Sequence, residues 1–168
     1  MDLIVETANT ARWGKRIFPC AIGKNGVVDA VDKREGDGKT PRGRWLMREV
    51  LYRADRLALP MTALPIRPLD PNDGWCEIPS DPDYNKLVHL PHRGVTTEFM
   101  WREDNLYDII VVLGYNDSPV VPEFGSAIFM HMIRPDLVTP TAGCVTLRQE
   151  DLMTVLNQAD HTSCVVVK

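Results

Sequence analysis

Nowhere does the chain hold about 18 consecutive apolar residues, the length of a bilayer-spanning helix, so no transmembrane segment is expected. It also lacks a block of Lys or Arg: 19 basic residues are dispersed among 23 acidic ones, for a formal charge of −4. That balance speaks against a nucleic-acid binder and against a polybasic membrane anchor. No CxxC pair occurs. The four cysteines, Cys20, Cys76, Cys144 and Cys164, are widely spaced, which excludes a zinc ribbon and a thioredoxin-like motif. A disulfide framework is not expected either, because 168 residues suffice to bury a core without one. The opening MDLIVETANTARWGKR has an acid at its second position, an apolar run of only three residues and no small-residue cleavage site. It does not read as a signal peptide. The expectation is a cytoplasmic protein, or a periplasmic one if an export segment has been removed. With no repeat, low-complexity stretch or linker, residues 1–168 read as a single domain.

What is present is mostly strand signal. DLIVE, then KRIFPCAIGKNGVVDAV with a Lys-Asn-Gly turn, predict strands and a hairpin. WLMREVLYR, leading out of the glycine-rich DKREGDGKTPRGRW, is ambiguous by periodicity and is assigned as a strand. Residues 54–100 carry prolines at 60, 65, 68, 71, 79, 82 and 91, so long regular elements are not expected there. So long a connection in one domain suggests a lid or wall over a substrate site. LYDIIVVLGYN and SAIFMHMI read as buried strands, and TSCVVVK as a last one. Thr146 and Gln149 fit a capping box, followed by an apolar stripe at Leu152, Val155, Leu156 and Ala159 that predicts one helix. The class is mainly β, a sandwich or barrel-like domain with one α-helix near the C-terminus.

PTAGCVTL poses the chemical question. Free cysteine is most often a buried hydrophobe, which suits Cys20 and Cys164 in their apolar runs. Cys144 is framed instead by Pro, Gly and Thr. A nucleophilic thiol needs a base, and His131 stands 13 positions earlier at the end of a strand, with prolines between able to fold the chain back. Gly143 would form a corner whose amides stabilise an oxyanion, at roughly 3–4 kcal/mol per donor. From the residues alone, a core histidine beside a turn cysteine is the more economical explanation of the pattern.

SAIFMHMI followed by TAGCVTL, with EGDGKTPRG upstream, resembles the YkuD-type L,D-transpeptidase catalytic domain. The similarity spans nearly the whole chain in the family's order. It implies a YkuD-like fold with Cys144 as nucleophile, His131 as base, and Thr141 and Gly143 as the motif's hydroxyl residue and glycine. Ala142 stands where the commonest motif has a second histidine, Thr146 where many members have Arg or Asn, and the His-to-Cys loop is short. The implied reaction is attack on the meso-diaminopimelate–D-alanine bond of peptidoglycan tetrapeptides. An amine acceptor would make it an L,D-transpeptidase and water an L,D-carboxypeptidase. The carboxypeptidase, trimming muropeptides in cell-wall recycling, is favoured. A non-catalytic muropeptide-binding module is the competing class. Peptidoglycan peptides are the expected partners, oligomeric state is not readable, and no cofactor is implied.

Arg134 suits a substrate carboxylate or a solvated loop; Tyr115 and Asn116 suit a cleft lining, with strand-end packing the alternative for Tyr115. GDGKTP is not a phosphate loop, because Lys33 stands where the first glycine belongs and Pro41 where a helix should run. In the family it is a structural turn. HLPH sets His89 and His92 three apart, but no cysteine or acidic cluster nearby in sequence completes a set, so no metal site is expected.

Overall fold

A computed structural model of the protein describes residues 1–7, 9–93, 98–137 and 139–168. Positions 94–97 of the proline-rich stretch and 138, in the loop between His131 and Cys144, lie outside the described residues. The strands are β1 (Leu3–Thr7), β2 (Thr10–Trp13), β3 (Arg16–Ala21), β4 (Val27–Asp29), β5 (Thr40–Tyr52), β6 (Ile66–Pro68) and β7 (Asp73–Trp75). They continue with β8 (Leu87–His89), β9 (Glu98–Phe99), β10 (Ile109–Leu113), β11 (Phe129–Met132), β12 (Val145–Leu147) and β13 (Cys164–Val167). One helix, α1 (Gln149–Leu156), precedes β13. The expectation of a mainly β domain with one C-terminal helix holds. No helix among the described residues is long and apolar enough to cross a membrane.

The large sheet runs β4-β5-β13-β1-β2-β3-β12-β11-β10, and β10 also pairs with β5. It is not a simple closed barrel, because β5 is 13 residues long and changes neighbours along its length. Its first half, Gly43–Leu46, pairs with β13, and its second half, Met47–Tyr52, pairs with β10. β10–β11–β12 are covered on both faces, which is why LYDIIVVL reads as a continuous apolar run. Ile109, Val111, Met130, Val145 and Leu147 face the larger core, where Leu152, Val155 and Leu156 of α1 pack. Ile110, Val112, Phe129 and Cys144 face a second, smaller core with Trp75, Met100 and Tyr107. The small sheet β8-β7-β9 supplies Trp75 to this second face, so the proline-rich stretch does form a wall over it.

Two local expectations are corrected. The Lys-Asn-Gly turn does not join a hairpin: β4 pairs in parallel with β5, not with β3. Two distant loops hold the turn instead: Asn25 N–H bonds the Gly38 carbonyl of the glycine-rich loop, and Lys24 N–H that of Thr141 in the cysteine loop. The capping box does not form either. Thr146 lies in β12, its hydroxyl accepting from Ala21 N–H, and α1 starts after Arg148 without a side-chain cap. The helical stripe itself is buried as read, including Ala159 just beyond the helix.

Candidate active site

A cavity of about 430 Å³ opens over the second core. Its walls include Cys144, His131, Gly143, Thr141 and Arg134, five of the seven sequence-derived site residues, and Ala142 beside them. Strand register explains how. β11 and β12 run parallel with Met130 opposite Val145 and His131 opposite Thr146, which sets Phe129 level with Cys144. Alternate residues share a face, so His131 and Cys144 project from the same side of neighbouring strands, two positions apart. Both are nearly inaccessible to solvent, at 6% and 8%.

Thr40, in the GDGKTP segment, is buried and joins that segment to the cysteine loop. Its hydroxyl accepts from Gly23 N–H (2.8 Å) and donates to the Gly143 carbonyl (2.9 Å). Gly23 and Thr141 form an isolated bridge, and Thr141 returns its own N–H to Ile22. The Thr141 hydroxyl donates to the Cys144 carbonyl (2.7 Å) and accepts from Gly143 N–H (3.0 Å). In this arrangement Gly143 therefore builds the corner rather than presenting its amide to the cavity. Its φ is +155°, a backbone conformation that strains any residue with a side chain, and a Cβ there would crowd the Lys39 carbonyl oxygen at 3.0 Å, so the corner favours glycine. Thr40→Val keeps the volume and strands one donor and one acceptor. Chemical denaturation should register a loss of about 1–3 kcal/mol, and activity should fall with it.

The thiol donates to the Ala127 carbonyl (3.2 Å) and accepts from Phe129 N–H (3.4 Å). Ala127 holds a left-handed φ of +53°, a strained conformation for a residue with a Cβ. Burial pushes the Cys144 thiol up to about 12, helped by the Glu98 carboxylate. Burial also pulls His131 from 6.5 down to about 4, opposed by hydrogen bonds to the backbone of Met132 and Leu106. The resting pair is thus neutral thiol and neutral imidazole, not a preformed ion pair. His131 Nδ1 sits 2.9 Å from the Met132 carbonyl. An acceptor there requires Nδ1 to carry the hydrogen, which leaves Nε2 as the basic nitrogen. The ring also packs edge-on against Tyr107, with centroids 5.1 Å apart.

Tyr115 and Asn116 are not among the cavity-lining residues. Tyr115 is buried edge-on against Trp45, with its hydroxyl on the Phe124 carbonyl (2.5 Å). Asn116 ties down the following loop through Val121 and Gly125. Strand-end packing, the alternative left open for Tyr115, describes it. Sequence reasoning missed the acidic wall. Glu35, Glu77 and Glu98 line the cavity with Arg102 and Tyr107. Glu35 accepts from Ser126 (2.7 Å) and Tyr84, and Tyr107 donates to Glu98. Burial and the neighbouring carboxylates push Glu77 up to about 7, and burial raises Glu98. Glu35 opens the EGDGKTP motif, which is a visible signal; nothing in the proline-rich stretch marks Glu77 or Glu98.

His89 ends β8 and is exposed. His92 contradicts the expectation of a histidine without companions, because the fold brings Cys76 and Asp81 to it. All four cysteines are buried and none forms a disulfide.

Comparison with known proteins gives the family. No curated protein gives a significant match. Among solved structures, an L,D-transpeptidase from Mycobacterium smegmatis is 12% identical with a TM-score of 0.44, covering 99% of this chain. The chain spans 58% of that protein's length. The model of the YkuD family, described as the L,D-transpeptidase catalytic domain, matches residues 4–167, from β1 to β13. A match over that extent, with the thiol and imidazole on one cavity wall, makes the chain a member of the YkuD family of L,D-transpeptidase catalytic domains.

Proposed function

We propose that the protein is a cysteine acyl-transfer enzyme that cleaves the meso-diaminopimelate–D-alanine bond of peptidoglycan tetrapeptides, acting as an L,D-carboxypeptidase. The observation that carries this reading is the placement of Cys144 and His131 on one face of β11–β12, inside a shared cavity. Nε2 of His131 takes the thiol proton as Sγ attacks the scissile carbonyl. The carbon–nitrogen bond then breaks, and the imidazolium gives its proton to the departing D-alanine amine. Water, deprotonated by the same imidazole, hydrolyses the thioester, releases the tripeptide and restores the thiol. Because both groups rest neutral, proton transfer accompanies attack and the thiolate does not accumulate beforehand. Arg134, exposed at the cavity edge and without a salt bridge among the described residues, suits the terminal carboxylate of the donor.

Hydrolysis is favoured over transfer because Ala142 puts a methyl group on the cavity wall where the family resemblance implies a second imidazole. An acceptor amine therefore finds no additional base at that position. Incubation with disaccharide tetrapeptide, followed by mass spectrometry, tests both parts. Disaccharide tripeptide plus free D-alanine is the expected outcome. A cross-linked dimer would replace hydrolysis by transpeptidation, and unchanged substrate would remove the enzymatic reading in favour of a muropeptide-binding module.

A further inference from the structure

A second cluster of chemically active side chains stands apart from the thiol–imidazole pair. Cys76 follows β7, Asp81 lies in the loop leading to β8, and His92 follows β8. One ligand atom from each lies within 4.8 Å of the other two. Cys76 is wholly buried, and the side chains of Asp81 and His92 are only 7% and 11% exposed. His92 Nε2 is 3.5 Å from both oxygens of Asp81. That is the outer limit of a hydrogen bond, and equal distances to two oxygens direct the nitrogen at neither. It is, however, the separation of two ligands on one ion, and the widest spacing in the cluster, within 4.8 Å, closes to the same range if the Cys76 thiol shifts by about 1 Å on binding. Metal bonds of about 2.0–2.3 Å at tetrahedral angles put neighbouring donor atoms roughly 3.3–3.8 Å apart.

We propose that Cys76, Asp81 and His92 form a binding site for a zinc-type divalent transition metal. Thiolate, imidazole and carboxylate together are the donor set that zinc prefers, whereas calcium and magnesium take all-oxygen sites. Asp83 lies 3.8 Å from the same nitrogen, so two carboxylates face the cluster against one guanidinium: Arg93 bridges Asp81 and Asp83 at 3.1 and 2.8 Å, fixing their positions while offsetting part of their charge. The loop is also ordered for the purpose by its own backbone: Cys76 N–H bonds the Lys86 carbonyl, and Asn85 N–H bonds that of Cys76. Binding releases the Cys76 proton to the buffer and leaves a metal–sulfur bond, with no change of oxidation state.

The site's position gives it a consequence. Trp75, one residue before the cysteine, packs edge-on against Phe129 with ring centroids 4.9 Å apart, and Phe129 is level with Cys144. Glu77, one residue after it, lines the catalytic cavity. A metal would therefore staple β7, the 78–86 loop and the segment after β8 into the wall of that cavity.

Titration of the reduced, metal-stripped 168-residue chain with Co²⁺, followed by back-titration with Zn²⁺, tests the proposal by optical absorption. One equivalent of Co²⁺ should give a sulfur-to-cobalt charge-transfer band, unchanged in Cys144→Ser and abolished by Zn²⁺. The band should vanish in Cys76→Ser, and His92→Ala and Asp81→Asn should each weaken binding at least tenfold. These two variants decide the matter if Cys76→Ser does not fold. A band that persists in Cys76→Ser, one that disappears in Cys144→Ser, or no band in the parent protein overturns the site.

Discussion

Cys144→Ala is expected to lower kcat/KM for the tetrapeptide by about 10⁴-fold or more, since no other group can carry the acyl intermediate. The variant should still fold. Its side chain makes two hydrogen bonds, to Ala127 and from Phe129, both through sulfur, a weak donor and acceptor. Their loss costs of order 1 kcal/mol. Retained stability together with lost turnover is what separates a nucleophile from a core thiol. The same change at Cys20 or Cys164, which line no part of the cavity, should leave turnover within a few-fold of the parent.

His131→Gln has the second largest expected effect, a fall in kcat of about 10²–10⁴-fold, the usual contribution of a positioned general base. The amide is close to the imidazole in size but cannot take up a proton, so the loss reports the missing base. The pH response adds an independent readout. The imidazole titrates near 4 in the folded chain against 6.5 when exposed. Above pH 6.5 both states are neutral and the contribution to stability is complete. Between 6.5 and 4 the unfolded chain takes up a proton that the folded chain refuses, so stability declines by roughly 3 kcal/mol as the pH falls. Below 4 both are protonated and this contribution levels off. Acid denaturation of His131→Gln should lack that component. The acid limb that His131 imposes on kcat/KM should likewise lie near pH 4 rather than 6.5.

How far the chain can be read without its structure follows from where the information is local. The apolar runs of β10, β11 and β13 and the stripe of α1 announce themselves because burial acts on neighbouring residues. β2 gives no such signal: Thr10–Trp13 is four residues long, with only Ala11 and Trp13 turned inward. The false hairpin at Lys24–Gly26 and the false capping box at Thr146 fail for one reason. Local hydrogen-bond options lose to partners distant in sequence, Gly38 and Thr141 in one case and Ala21 in the other. The site divides in the same way. His131, Gly143 and Cys144 lie close in sequence and can be seen together. Thr40's grip on Gly143 spans 103 positions, and the meeting of Cys76, Asp81 and His92 depends on how a proline-rich stretch folds. No periodicity encodes either.

Trapping the acyl intermediate probes the central claim at its source. The protein is mixed with disaccharide tetrapeptide, quenched in acid within the first turnovers, digested, and its peptides are weighed. A tripeptidyl mass increment on the fragment containing Cys144, reduced in His131→Gln, is the predicted result. D-alanine release with no adduct there, or an adduct on Cys20, Cys76 or Cys164 instead, would contradict the account.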